Sequence, residues 1–344
     1  MVHRLWSMDC YSYTCTKICL LTIRTKKLLS YLLKLGILAL AFWFIYHRIE
    51  KYNDSLHKFS TLVSTIGHTR VVVTVGLVIL FMLVNWILES LKWRYLAKPL
   101  APITVWQAIE SVFCGLTWAI FTPNRFGEYG GRVMYLPRRR RIHGVFAMAV
   151  GSFGQNVVTN VLGSIAIIWF VITFITLQAW LMAFIVASAL GFMSFMLIFY
   201  FNIKWLVSLL NRVKFLRKFH RFFDIMGKYR FNELLKIMWF CLARFFVFSF
   251  QYYLIIHLLI PQMPVLPMAF TLFVFFFIQS AMPSQDIIDL GVRSVTADML
   301  FGYLTNQHIA IVVSVSLIYI VNIVIPAILG SVFVLNLKFF DRTA

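Results

Sequence analysis

Apolar residues in this chain run in unbroken blocks of about 20, which at 1.5 Å of helical rise per residue is the length needed to cross ~30 Å of hydrocarbon. In lipid every backbone N–H and C=O must be satisfied internally, so a spanning segment is either a helix or a strand of a closed barrel. Blocks of this length select the helix. The fold expected is therefore all-α: a polytopic integral membrane bundle. Composition agrees, at 61% hydrophobic and 13% charged, against about 45–50% and about 25% in soluble domains. Residues 28–337 read as a single transmembrane domain between a basic tail (1–27) and a short tail (338–344). No small-residue cleavage site comes after a short apolar core, so 1–27 is expected to be a cytoplasmic tail, not a secretory signal.

The net charge of +20 does not point to nucleic acid, because the basic residues lie in the connections between apolar blocks. That is the positive-inside pattern of cytoplasmic loops. The five cysteines form no CxxC pair, and the eight histidines are scattered, so no metal or other cofactor is expected. The phosphate-loop, HExxH and GxSxG signatures are all missing from the sequence.

Six blocks read as full spans: 28–47, 71–91, a helix within 142–176, 179–201, 237–260 and 308–336. Two shorter segments do not. Residues 104–122 carry Gln107 and Glu110, with Thr104 placed to cap the start. They are flanked by Lys92, Arg94 and Lys98 on one side and by Arg125, Arg132 and Arg138 to Arg141 on the other. Both flanks belong on the same side of the membrane, so 104–141 reads as a re-entrant hairpin. Residues 268–282 are too short for a comfortable span, and Asp286, Asp289, Arg293 and Asp298 make the stretch beyond them net acidic. Residues 268–300 read as a second re-entrant hairpin, from the external face. The expected architecture is six spans plus two re-entrant hairpins, or eight spans if the hairpins cross, with both termini cytoplasmic. Span, hairpin, span recurs upside down, the inverted repeat of alternating-access carriers. The linker 202–236 interleaves nine bases and two acids with apolar residues. It reads as an amphipathic interfacial helix, although an ordinary basic loop explains its charge equally well.

The first hairpin holds the chemistry. Pro123 and Gly127 break the helical pattern, and Glu128 sits three residues after Arg125 and four before Arg132. A carboxylate in apolar surroundings is costly unless paired, and those spacings place both arginines on its helical face. Arginine grips phosphate bidentately and broken helices expose free N–H groups. The cluster is thus either an anion site or a salt-bridged structural turn. In the second hairpin, Arg293 comes after Pro283 and Gly291 and is placed for the corresponding task. Ser152, Gln155, Asn156, Thr159 and Asn160 gather on one side of the helix within 142–176, beside Gly151, Gly154 and Gly163. The stripe is interhelical glue or lines the site, with Asn156 and Asn160 as candidate headgroup contacts. Arg244 lies inside a span, where it either snorkels or is paired and functional. Pro326 predicts a kink in the last span.

At these residues the chain resembles the lysylphosphatidylglycerol synthase transmembrane-region family, the flippase-like integral membrane proteins of bacteria and archaea. Pro123, Arg125, Gly127, Glu128 and Arg132 match the family's Pro–x–Arg–x–Gly–Glu element and the arginine after it. Pro283, Leu290, Gly291, Val292 and Arg293 match its second element, with Ser294 where an acid is usual. The resemblance covers roughly residues 30–337. It implies a flippase-like protein of the bacterial inner membrane that moves an anionic phospholipid, polyprenyl-phosphate or glycolipid. It also implies membrane lipids and their anionic headgroups as partners, and no soluble synthase domain. A homo-oligomer or a partner lipid-modifying enzyme fits it as well. Competing readings are a membrane-embedded transferase acting on a lipid phosphate, and a scaffold that transports nothing.

Overall fold

A computed structural model describes residues 66–120, 122, 125–212, 225–282 and 289–335, with a few positions (32, 35–36, 58 and 60–64) before them. All but residues 32 and 35–36 of the expected first span, both tails, Pro123, Pro283 and residues 213–224 of the linker lie outside the described residues.

The described chain is an all-helical, multi-pass membrane bundle. Five stretches are long and apolar enough to span: His68–Ala97, Arg138–Phe174, Ala179–Phe201, Phe231–Leu259 and His308–Val334. We label His68–Ala97 α1, Arg141–Phe174 α4, Ala179–Phe201 α5 and Phe231–Leu259 α7. The last span is composite: α10 (His308–Tyr319), a π-helical turn (Ile320–Val324) and α11 (Ile325–Leu335). It is the most enclosed span, with 67% of its apolar stretch buried, whereas α5 has 0%. Trp180, Phe184, Phe195 and Ile198 of α5 are exposed. A rim of large apolar side chains outside the packed core is what a lipid-facing surface requires.

Two helical hairpins fill the bundle. The first is α2 (Val105–Ala119) and α3 (Phe126–Val133); the second is α8 (Val265–Ala281) and α9 (Asp289–Phe301). None of these arms reaches the ~20 residues a spanning helix needs. The base of the first hairpin is tied to the Ala97 and Arg141 ends of α1 and α4. The Arg94 Nε–H donates to the Ile103 carbonyl at 3.2 Å, Arg140 donates to the Leu100 carbonyl, and Gly144 packs on Leu136 and Val133. The second hairpin is rooted at the other end of α4, where Trp169 stacks on Phe270 and Phe170 meets Tyr303. Its α8 arm descends along α4 until Ser280 reaches Asn160. The hairpins therefore enter the bundle from opposite ends.

The composite last span runs past both of them. Its first half packs on α9, and its second half packs on α2, where Thr117 donates to the Ala327 carbonyl at 3.0 Å. At the changeover the helix widens into the π turn just before Pro326. Proline lacks the N–H that would continue the ladder, and a π turn redistributes the freed carbonyls.

α1 extends to Ala97, well beyond the residue 91 at which its hydropathy ends. It packs antiparallel to α7: Tyr229 donates to the Leu96 carbonyl at 2.7 Å, while Phe81 meets Phe250 further along. Burial and then the Glu233 carboxylate push the Tyr229 phenol above its ordinary pKa, keeping it a neutral donor. Of the linker, α6 (Ile203–Arg212) is described, with Ile203 and Val207 buried and Lys204, Trp205 and Leu209 exposed.

The small and polar residues of α4 pack against its neighbours, and two of them, Gly151 and Ser152, also line a small cavity together with Glu128 and Arg132. A Cβ on Gly151 would lie 2.6 Å from Leu96, and one on Gly163 would lie 2.5 Å from Phe277. Gln155 reaches the Cys241 carbonyl, and Ser152 meets the Tyr129 hydroxyl. The missing side chains at these glycines leave room for Leu96 and Phe277 to lie directly on the α4 backbone.

Candidate functional site

The site is assembled where α1, α3 and α7 meet. α2 begins with a reciprocal cap, Thr104 Oγ1 accepting from the Gln107 amide at 3.2 Å and Gln107 Oε1 from the Thr104 amide at 3.0 Å. It ends at Ala119, and the chain turns back. Thr122 Oγ1 accepts the Gly127 amide at 2.7 Å, and Arg125 adopts a left-handed conformation (φ 57°, ψ 27°) before α3 starts. Arg125 is the only non-glycine with positive φ among the described residues. Such a backbone costs ~1–2 kcal/mol outside glycine, and strain of this kind gathers at functional turns.

The arms of this hairpin touch through their backbones. A Cβ on Gly131 would lie 2.5 Å from Gly115 Cα, and one on Gly127 would collide with the Trp118 carbonyl. This contact carries Glu128 and Arg132 into the interior. Arg132, buried, donates from one terminal nitrogen to Glu128 and from the other to Glu89 Oε1 at 2.5 Å. Arg125, half-buried, pairs with the other oxygen of Glu128 at 3.3 Å. Glu89 also accepts from Lys92 Nζ at 2.7 Å and from Arg244. Arg244, near the midpoint of α7, extends the chain of contacts: its Nε–H donates to Asn85 Oδ1 at 3.0 Å and its guanidinium lies 5.5 Å from the Trp86 ring centroid.

Four cations thus surround two carboxylates, and the cluster keeps a net positive charge in apolar surroundings. The gathered groups lie in part against a cavity of about 50 Å³, lined by Glu89, Lys92, Glu128, Tyr129 and Arg132 among others. That is space for a few waters and for no lipid headgroup. The Arg132 Nε–H, also buried, has no hydrogen-bond partner among the described residues. Chemically the arrangement is a salt-bridge network in which four cations share two carboxylates.

The structure brings Arg125, Glu128 and Arg132 together as their spacing predicts, and it resolves Arg244 as a paired residue. It does not bring in the others. Asn160 donates to the Asn156 carbonyl at 2.7 Å and accepts from Ser280, at the tip of the α8 arm, while the Asn156 side chain is exposed. Arg293 lies over the Tyr319 ring at 6.0 Å, on the α9–α10 side. Among the described residues, nothing lies within 4 Å of where a Cβ on Gly291 would be. Within the basic run, Arg140 and Arg141 are committed to carbonyls at the hairpin base, Arg141 to Leu136 and Met134.

Sequence reasoning missed Asn85, Glu89 and Lys92. Their signal was the polar spacing Asn85, Glu89, Lys92 on one face of an apolar helix. Among the described residues no group of His, Cys, Asp and Glu is arranged to hold a metal ion. Comparison with protein-family models, curated proteins and solved structures returns no match for this chain.

Proposed function

We propose that this protein is a carrier that moves an anionic phospholipid or a lipid-linked phosphate between leaflets, in the manner of the flippase-like transmembrane regions it resembles. In this reading six spans cross the membrane, the two hairpins are re-entrant from opposite faces, and both termini are cytoplasmic. The observation that carries the proposal is the buried cluster in which Arg125, Arg132, Lys92 and Arg244 outnumber Glu89 and Glu128. An intramembrane charge excess is expensive and is retained where an ion pathway or ligand needs it. A phosphate replaces the Glu128 carboxylate as the partner of Arg125 and Arg132, using the same bidentate geometry. Glu89 stays as the fixed counter-charge that keeps the arginines aligned.

The small cavity supports a closed state that must open at the first hairpin before a headgroup enters. Arg125 is the accessible end of the network and the natural point of exchange. The test is a leaflet-resolved assay in proteoliposomes, with phosphatidylglycerol and polyprenyl-phosphate probes, comparing wild type with Arg125→Ala. Movement of one probe that is lost in a folded Arg125→Ala is the expected result. Absence of movement for every probe, with both proteins folded, would leave the salt-bridged turn as structure and redirect attention to the transferase and scaffold readings.

A further inference from the structure

A second site of different character lies on the opposite side of α1 from the charge cluster. Leu91, Arg94, Tyr95 and Lys98 succeed one another at spacings of three, one and three, and so form one stripe over the last two turns of α1. Together with Phe240 of α7 and Ile103 they line a cavity of about 430 Å³. Its composition is ordered along the helix. Leu91 and Phe240 form the wall toward the middle of the bundle, whereas Arg94 and Lys98 stand at the helix end, roughly 5–10 Å further along the axis, beside Pro102 and Ile103, so that all the charge of the lining is at that end. Both cations are exposed. The Ile103 carbonyl accepts the Arg94 Nε–H at 3.2 Å and fixes that guanidinium at the rim.

Among the described residues no acid lines this cavity. The carboxylate whose charge reaches Tyr95 is Glu233 of α7. It is occupied as the cap of its own helix, accepting the Arg230 amide at 2.9 Å. The volume of the cavity falls within the usual ligand-pocket range of about 300–1,000 Å³, enough for a phosphodiester and the first carbons of a chain.

We infer that this groove binds an anionic phospholipid of the leaflet at the Ala97 end of the bundle. Its phosphate lies between Arg94 and Lys98, and the first carbons of one acyl chain lie on Leu91 and Phe240. The occupant is set by the order of the lining. Cations at the headgroup plane, with apolar walls further in, match a phosphodiester with its chains, and match neither a free phosphate nor a soluble peptide. The inference needs the membrane fold alone and does not depend on what the cluster around Glu89 transports.

The test is native mass spectrometry of the purified full chain titrated with phosphatidylglycerol or with phosphatidylcholine of the same acyl chains. It compares wild type, Lys98→Gln and the double variant Arg94→Gln/Lys98→Gln. Wild type is expected to prefer the anionic lipid, Lys98→Gln to lose about fivefold of that preference, and the double variant to lose roughly 30-fold, leaving the neutral lipid unaffected. Glycerol 3-phosphate at millimolar concentration is expected not to displace the lipid. Equal lipid preference in all three proteins would overturn the inference, and so would displacement by glycerol 3-phosphate. Lys98 is exposed and past the end of α1, so its single variant keeps the question answerable if the double variant fails to fold.

Discussion

The two hairpins enter from opposite ends of the bundle, yet different forces hold them. In the first, α2 and α3 meet backbone to backbone at Gly115 and Gly131, and a buried ion network fastens α3 to α1 and α7. In the second, the arms carry aromatic packing, Trp169 on Phe270 and Phe170 on Tyr303, together with the pair of Asp298 and His308 at 2.7 Å, which is exposed. Apolar contacts tolerate sliding, because one well-packed arrangement is much like the next in energy. A buried network does not, because every displaced charge is left unpaired in low dielectric. Among the described residues, therefore, the first hairpin is fixed in register by charge, and the second is packed chiefly through aromatic contacts.

The sharpest way to break that contrast is to remove the central counter-charge. Glu89→Gln removes the carboxylate that Lys92 and Arg244 share and leaves Arg132 with Glu128 alone. Losing one partner of a buried ion pair costs ~3–5 kcal/mol. Asp298→Asn, in the second hairpin, breaks a solvent-accessible pair and is expected to change stability by about 0–1 kcal/mol. Thermal unfolding of both variants in the same detergent compares them directly. Equal melting temperatures would mean that the network around Glu89 does not hold the first hairpin.

The next effect in size concerns the glycine contact. Gly131→Ala inserts a methyl group 2.5 Å from Gly115 Cα, where the obstacle is backbone and unable to swing aside. Overpacking of this kind costs ~1–3 kcal/mol. Because the arms must separate to accept it, Arg132 is also drawn away from Glu89. A fall in melting temperature smaller than that of Glu89→Gln, but clearly below wild type, is the expected outcome. An unchanged melting temperature would show that the hairpin arms are not closely packed.

These particulars also show what was legible in the sequence. Long apolar blocks announce the spans, because lipid leaves the backbone few alternatives. Basic flanks on both sides of 104–122 announce the first hairpin, and the local spacing of Arg125, Glu128 and Arg132 announces their pairing. Glu89 and Lys92 were hidden because a charge near the end of an apolar block has the same signature whether it faces water or a partner. Hydropathy therefore ended the span at 91, while the helix continues to Ala97. What buries Glu89 is Arg132 and Arg244, which are 43 and 155 residues away in the chain. No local pattern contains that information. The candidate contacts Asn156 and Asn160 illustrate the converse: a polar stripe identifies a helix face, and only packing decides that this face serves α8 and α7 more than the charge cluster.

The smallest effect sharpens the comparison from the other side. Gly291 lies in the first turn of α9, and among the described residues a Cβ there would meet nothing within 4 Å. Gly291→Ala should therefore be neutral or stabilising, by up to ~1 kcal/mol, since alanine loses less backbone entropy than glycine on entering a helix. The same substitution at Gly131 destabilises, so the pair of variants measures how differently the two hairpins are packed. It also separates two reasons for a glycine beside Arg293. If Gly291 merely tolerates alanine, stability rises slightly and lipid movement in proteoliposomes is unchanged. If the glycine leaves room for a headgroup to approach the backbone, stability is again unharmed but movement falls. Only this second result would make the second hairpin part of the path proposed to begin at the first hairpin's arginines.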